Sequence, residues 1–138
     1  MELYVYTDGG ARGNPGPAGF GVVVKDESEK VIYAHPKFLG ITTNNQAEYE
    51  GLLHALSWVK SHLPPPSAVH FFSDSELMVR QLTGLYKVKS PLLLPLYTQA
   101  RTIINDFSFP VYFHHVLRHL NKQADMLANQ AMDSYVSK

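Results

Sequence analysis

The chain has 138 residues, 45% of them hydrophobic, which suits a single domain over residues 1–138 that buries one core. Twelve basic and twelve acidic residues cancel, so an overall positive field is excluded and any contact with nucleic acid must be local. The absence of cysteine excludes disulfides, thiolate metal sites and cysteine nucleophiles. The sequence has neither a secretory signal nor a window approaching roughly 18 consecutive apolar residues, so we expect a soluble, cytoplasmic protein.

The first half of the chain predicts three strands and then one long helix. Residues 3–7 are β-branched and aromatic and run into Asp8, so the first strand is predicted to end at this acid. A turn-rich connection with glycines and prolines follows. Strands are then predicted over 20–25 and 31–39, in an antiparallel meander with the first, and a helix over 45–62.

One acid of this helix lies where a hydrophobic residue is expected. Counting by helical spacing from Glu48 gives an apolar stripe of Leu52, Ala55, Leu56, Val59 and Leu63. Burying an ionised carboxylate without a partner costs several kcal/mol, so a cation should compensate Glu48. A local alternative is a capping box in which Asn45 is the N-cap and Glu48 is its partner three residues on.

The second half predicts two strands and three helices. In chain order these are a strand over 68–73, a helix that starts with the S-x-x-E pair Ser73 and Glu76, a helix over 91–106 with Pro95 in its first turn, a strand over 109–116, and a helix capped by Asn121. Asp74 follows the first of these strands, and Asp125 lies in the first turn of the last helix. The order βββαβααβα predicts an α/β fold with a five-stranded mixed sheet flanked by helices.

Four acids, Asp8, Glu48, Asp74 and Asp125, are candidates for one site. Each also has a structural alternative, as a turn former, a capping-box member or a charge at a helix start. Like charges a few ångströms apart cannot all stay ionised unless a cation is bound, and all-oxygen ligation selects Mg²⁺ or Mn²⁺. Two such ions about 4 Å apart would form the clamp used for in-line displacement at a phosphodiester.

Each of the four acids lies in a distinctive segment: TDGGARGNPGPAG from Thr7, TNNQAE from Thr43, SDS from Ser73 and NKQAD from Asn121. In this order the four segments resemble the motifs of type 1 ribonuclease H. The resemblance covers essentially the whole chain. It implies the ribonuclease H-like fold and a monomeric endonuclease that cuts the RNA strand of RNA–DNA hybrids and leaves 5′-phosphate and 3′-hydroxyl ends. Asp8, Glu48, Asp74 and Asp125 would then be the catalytic acids that hold two Mg²⁺ or Mn²⁺ ions.

The same resemblance implies a set of substrate contacts. These are Gly9, Gly10, Arg12, Asn14, Thr43, Asn44, Asn45, Ser75, Lys87 and Lys89. Glycines allow close approach of a backbone, and asparagine amides both donate and accept hydrogen bonds toward sugars and base edges. In the minor groove the 2′-hydroxyls distinguish RNA from DNA. The alternative for the glycines is that they only build the turn.

The chain departs from the family pattern at two places. Only residues 86–89 stand where many members carry a basic, Trp-rich helix, which makes this a short form with Lys87, Lys89, Arg12 and Arg118 left to meet phosphates. The histidine of the loop before the last helix is also replaced: Arg118 resembles the substitute found in some members, and His119 is a second candidate for assisting product release. Action on double-stranded RNA as well, or hybrid binding without catalysis, are the alternative functions.

Overall fold

The computed structural model describes residues 1–136. Its elements are β1 Glu2–Ala11, β2 Gly16–Lys25, β3 Val31–Thr42, α1 Asn44–Ser61, β4 Ala68–Ser73, α2 Glu76–Leu82, α3 Leu94–Asp106, β5 Val111–His115 and α4 Lys122–Val136, with a 3₁₀ turn at Arg118–Leu120. The predicted order of strands and helices is confirmed. Among these residues, no helix combines the length and the apolar character that crossing a membrane requires.

The strands form one five-stranded mixed sheet in the order β3-β2-β1-β4-β5. β1, β2 and β3 pair antiparallel, which confirms the predicted meander. β4 pairs parallel with β1 on one side and with β5 on the other. The central β1 and its parallel neighbour β4 therefore point their carboxyl ends toward the same edge of the sheet, where ligands of open α/β sheets bind.

The main core lies between the sheet and α1. Alternate residues of β1, such as Leu3 and Val5, face α1 and are fully buried. The apolar stripe of α1 meets them, with Leu52 and Leu56 at most 1% exposed. Burying a leucine side chain contributes about 1.5–3 kcal/mol, so this face fixes α1 on the sheet. Leu63, which was expected to continue the stripe, lies past the end of the helix and is 77% exposed.

The first strand is longer than predicted. β1 does not end at Asp8 but continues to Ala11, because Gly9, Gly10 and Ala11 pair with Phe20, Gly19 and Ala18 of β2. The turn-rich connection shrinks to residues 12–15. Asp8 is consequently held inside the strand ladder, and the alternative that Gly9 only builds a turn does not hold.

The start of α1 differs from the predicted capping box. Thr43 is the N-cap, and its hydroxyl accepts a hydrogen bond from the backbone N–H of Gln46 at 3.2 Å. The box is completed by the Gln46 side chain, so the pairing of Asn45 with Glu48 is wrong. Glu48 is left without the local explanation for its place on the apolar face.

The start of α2 is shifted by two residues from the prediction. Ser75, not Ser73, is the N-cap, and its hydroxyl accepts from the N–H of Met78 at 3.2 Å. The Ser73 hydroxyl instead accepts from the N–H of Ser75 at 3.0 Å. The two serines tighten the turn that holds Asp74 at the end of β4. Pro95 lies in the first turn of α3, as predicted.

Candidate metal centre and substrate cleft

Three of the predicted acids meet at the carboxyl edge of the sheet. One carboxylate oxygen from each of Asp8, Glu48 and Asp74 lies within 4.8 Å of the others. Asp8 and Glu48 are only 7% and 8% exposed. The acids come from β1, from α1 and from the residue after β4, so their proximity is a product of the fold.

Strand register and one glycine explain this convergence. Thr7 of β1 is paired with Ser73 of β4, which brings the next residues, Asp8 and Asp74, side by side. On the other side, a Cβ at Gly9 would lie 2.5 Å from the carbonyl carbon of Ala47, so only glycine lets α1 approach β1 this closely. The backbone N–H of Gly9 faces the Glu48 carboxyl group and acts to lower its pKa.

Asp125 reaches the same place from the first turn of α4. Its carboxyl group lies close enough to Asp8 to raise the pKa of that acid, and its Oδ1 lies 3.3 Å from Arg118 Nη2. Asp8 is therefore a neighbour of Asp125 as well as of Glu48 and Asp74.

The pKa values of the buried acids are strongly raised. Burial raises the pKa of Asp8 to about 8, and the charge of Asp74 and the proximity of Asp125 act in the same direction. Burial, followed by repulsion from Asp8 and Asp74, raises the pKa of Glu48 well above its ordinary value, against the opposing effects of the Gly9 N–H and Arg118. The protein alone thus disfavours the charged forms of these groups.

The donor set fits a hard divalent cation. Within the described residues, Glu48 Oε1 is buried and has no hydrogen-bond partner. Such an orphan acceptor is costly in a protein interior unless something occupies the site. Oxygen donors alone, all from carboxylates, are the ligands that Mg²⁺ and Mn²⁺ prefer, and a bound cation would restore the ionised forms.

A cleft of about 650 Å³, the acid cleft, opens over these side chains. Its walls include the four acids, part of the predicted substrate set, namely Gly9, Gly10, Arg12 and Asn44, and Arg118, which was predicted to assist product release. A second depression of about 420 Å³, the flanking groove, holds others of the set: Asn14, Thr43, Asn45, Lys87 and Lys89. The two regions meet at the first turn of α1, which supplies residues to both.

Several predicted substrate residues also organise the walls of the acid cleft. The Asn44 side-chain oxygen accepts from the N–H of Ala11 at 2.7 Å, and the Asn44 N–H donates to Asn14 Oδ1 at 3.0 Å. Arg12 is ion-paired with Asp133 of α4 at 2.5 Å. These contacts tie the loop after β1 to α1 and α4, so the cleft is preformed.

Two predicted residues lie outside both regions. Ser75 uses its hydroxyl to cap α2. His119 lines a separate pocket of about 270 Å³ together with Tyr6 and Lys25, whereas its neighbour Arg118 faces the acids. Of the two candidates for the loop cation, the structure brings only Arg118 to the acid cleft.

Sequence reasoning missed two residues of the site. Asn129 and Met132 line the acid cleft, and their spacing of four and seven residues from Asp125 was the available signal. Asn121 was expected to cap α4. Asn121 does stand immediately before α4, and its carbonyl accepts from the N–H of Asp125, but Asn121 Nδ2 donates to the carbonyl of Thr7 at 2.8 Å and Asn121 Oδ1 has no hydrogen-bond partner among residues 1–136.

Comparison with known proteins assigns this architecture to a family. A family model described as reverse transcriptase-like matches residues 6–131. The bifunctional protein Rv2228c of Mycobacterium tuberculosis is 42% identical over 135 residues, which are 97% of this chain and 36% of that protein, so the chain spans about a third of its length. Ribonuclease H of Thermosynechococcus vestitus is 33% identical over 91% of this chain and 86% of its own length. LC11-RNase H1, isolated from compost and solved in complex with an RNA/DNA hybrid, superimposes with a TM-score of 0.92 at 41% identity over 97% of this chain and 99% of that one.

Proposed function

The chain belongs to the type 1 ribonuclease H family, and on that premise we propose that it is an endonuclease that hydrolyses the RNA strand of RNA–DNA hybrids, leaving 5′-phosphate and 3′-hydroxyl ends. The observation that carries the proposal is the convergence of Asp8, Glu48 and Asp74 within 4.8 Å in a preformed cleft. The relative LC11-RNase H1, 41% identical, was crystallised with such a hybrid, which supports the choice of substrate.

The acids have distinct roles in this proposal. Two bound Mg²⁺ or Mn²⁺ ions would supply activation of the attacking water and neutralisation of charge on the leaving oxygen. Asp8 lies between the other acids and would contribute to both ion sites. Glu48 and Asp74 would complete one site and Asp125 the other. Arg118, 77% exposed beside Asp125, would place a cation near the phosphate as the product leaves.

Recognition of the substrate would be divided between the two regions. Gly10 lines the acid cleft and would meet the ribose side of the RNA strand through its backbone, where the 2′-hydroxyl is read. Asn44, already oriented by Ala11, would contact the minor groove beside it. Lys87 and Lys89 are exposed at the flanking groove and would neutralise phosphates of the same duplex.

Cleavage of matched duplexes tests the proposal. Three duplexes of one sequence, RNA–DNA, RNA–RNA and DNA–DNA, are incubated with the chain in Mg²⁺ or Mn²⁺ and in EDTA, and the product ends are analysed. We expect metal-dependent cutting of the hybrid RNA strand with 5′-phosphate ends. Preference for the DNA duplex would reject the proposal, binding without cutting would identify a binding module, and equal cutting of duplex RNA would widen the substrate range. That the protein acts as a single-domain monomer in the cytoplasm stays a prediction.

A further inference from the structure

Helix α4 lies directly on the backbone of β2 because two residues of that strand have no side chain. Gly19 and Gly21 occupy the same face of β2, and Gly21 is the ladder partner of Asp8. A Cβ at Gly21 would lie 2.4 Å from the carbonyl oxygen of Ala124 and 2.9 Å from the nitrogen of Ala128. Both are backbone atoms, so a side chain at Gly21 could be accommodated only if this part of α4 moved away from the strand.

A buried hydrogen bond ties the same end of α4 to β1. Asn121, the residue before the helix, is 1% exposed and donates from Nδ2 to the carbonyl oxygen of Thr7 at 2.8 Å. Its own carbonyl accepts from the N–H of Asp125 at 3.0 Å. Two hydrogen bonds therefore connect the residue before Asp8 to the acid of α4.

The other acids do not depend on these contacts. Asp8 and Asp74 are placed by the pairing of β1 with β4, and Glu48 by the approach of α1 over Gly9. Only Asp125 arrives on α4. The depth at which α4 docks therefore sets the separation of Asp125 from Asp8 without altering the other three acids.

We infer that Gly21 and Asn121 are positioning residues that hold Asp125 against Asp8 and so determine the affinity of the second metal ion. The inference rests on the proposed two-ion function and deepens it. Neither residue needs to touch an ion or the substrate. Groups that orient metal ligands in this way typically change metal affinity by about 10–100-fold when they are removed.

The chain supplies a matched control in Gly19. A Cβ there would also press on α4, at 2.8 Å from the Cβ of Ala131, six residues beyond Asp125, and would lie 2.9 Å from the carbonyl oxygen of Lys37 in β3. Gly19→Ala should therefore loosen the docking of α4 and lower stability without moving Asp125. If weakened packing alone lowered the affinity for the second ion, both glycine variants would show the loss. If positioning of Asp125 is responsible, only Gly21→Ala would show it.

The test measures Mn²⁺ binding to the full chain by calorimetry and electron paramagnetic resonance, with thermal unfolding recorded for each variant. We expect Gly21→Ala to weaken the second ion about tenfold or more and to leave the first nearly unchanged. Gly19→Ala should retain both affinities despite a comparable loss of stability. Equal effects of the two substitutions on the second ion, or no effect of Gly21→Ala, would overturn the inference.

Asn121→Ala gives a second route if Gly21→Ala does not fold, with the exposed neighbour Gln123→Ala as its control. Selective weakening of the second ion in Asn121→Ala is expected, and an unchanged second affinity in a folded Asn121→Ala would overturn the inference. Failure of the proposed function is seen separately, because it would appear in the wild-type chain as binding of fewer than two ions or as no cleavage of the hybrid.

Discussion

The acid cleft and the flanking groove meet at the first turn of α1 but are built from opposite kinds of residues. In the acid cleft, Asp8 and Glu48 are buried, their pKa values are raised, and Glu48 Oε1 has no hydrogen-bond partner within residues 1–136. In the flanking groove, Lys87 and Lys89 are exposed side chains on a connector between helices. Electrostatic interactions are strong where water is excluded and weak where it is not.

The difference separates two functions of one substrate surface. A group held at an energetic cost in a buried cleft is suited to chemistry, because its charge is available to an ion or a transition state without screening. An exposed lysine on a connector contributes affinity that depends on salt. Substitutions in the two regions should therefore differ in the kinetic constant they change and in the size of the effect.

The largest effect is expected from Asp8→Asn. Removing the charge shared by both proposed ion sites should lower kcat by about 10³-fold or more, with KM for the hybrid little changed. Steady-state cleavage of a labelled hybrid measures both constants. A kcat within tenfold of wild type would show that Asp8 is not essential for catalysis. The proposed difference between a catalytic acid cleft and a binding groove would then be lost.

The same substitution should stabilise the metal-free protein at alkaline pH. The pKa of Asp8 is raised to about 8, chiefly by burial, so the folded state binds the proton more tightly than the unfolded state. Its contribution to stability is full below an unfolded pKa of about 4 and is lost as pH rises to about 8. In EDTA at pH 8, Asp8→Asn should raise the free energy of unfolding by up to about 5 kcal/mol, because the pKa of Asp8 differs by about four units between the folded and unfolded states.

Urea denaturation from pH 5 to pH 9 measures this effect. The wild-type chain should lose stability with rising pH more steeply than Asp8→Asn, and Mg²⁺ should restore wild-type stability at pH 8 but have less effect on the variant. Parallel pH profiles for the two proteins would contradict the raised pKa of Asp8.

A smaller effect is expected at the edge of the acid cleft. Arg118→Ala removes the cation paired with Asp125 and should lower kcat by about tenfold, since the pair is exposed and partly screened. His119→Ala is the matched control, because His119 lines a different pocket, and it should leave kcat within about twofold of wild type. Steady-state cleavage measures kcat for both variants, and single-turnover rates show whether a loss lies in the chemical step or in product release. A larger loss of kcat in His119→Ala would reverse the assignment.

The smallest effect is expected in the flanking groove. Replacing Lys87 and Lys89 together by alanine should raise KM about threefold to tenfold with kcat unchanged. The slope of log affinity against log salt should become shallower by about one for each lysine. Titration of a catalytically inactive variant with hybrid at several salt concentrations gives the slope. An unchanged slope would show that these lysines do not meet phosphates.

Local patterns were sufficient to predict much of the fold. The order of strands and helices, the apolar stripe of α1 and the mixed sheet follow from periodicity and turn residues, which depend on neighbours a few positions apart. The anomaly of Glu48 was also visible, because an acid on an apolar face is conspicuous without any structure. The motifs around the four acids were sufficient for the family.

Other features depended on residues far apart in the chain. The extension of β1 past Asp8 follows from pairing with β2, which overrides the turn preference of Gly9 and Gly10. The use of Asn121 to bind Thr7, 114 positions away, could not be read from a segment that resembles a helix cap. Arg118 and His119 are adjacent in sequence, but the path of the 3₁₀ turn brings Arg118 to the acid cleft and His119 to a different pocket.

The sequence by itself therefore determined which elements form and which acids are available for chemistry, since propensity, periodicity and motif are local properties. The tertiary structure decided how near those acids come, which of them lose water, and which cation faces them. These are properties of contact between segments: the Thr7 to Ser73 register, the close approach of α1 at Gly9 and of α4 at Gly21. The raised pKa of Asp8 is the energetic result of that contact, because desolvation and repulsion exist only once the chain has folded.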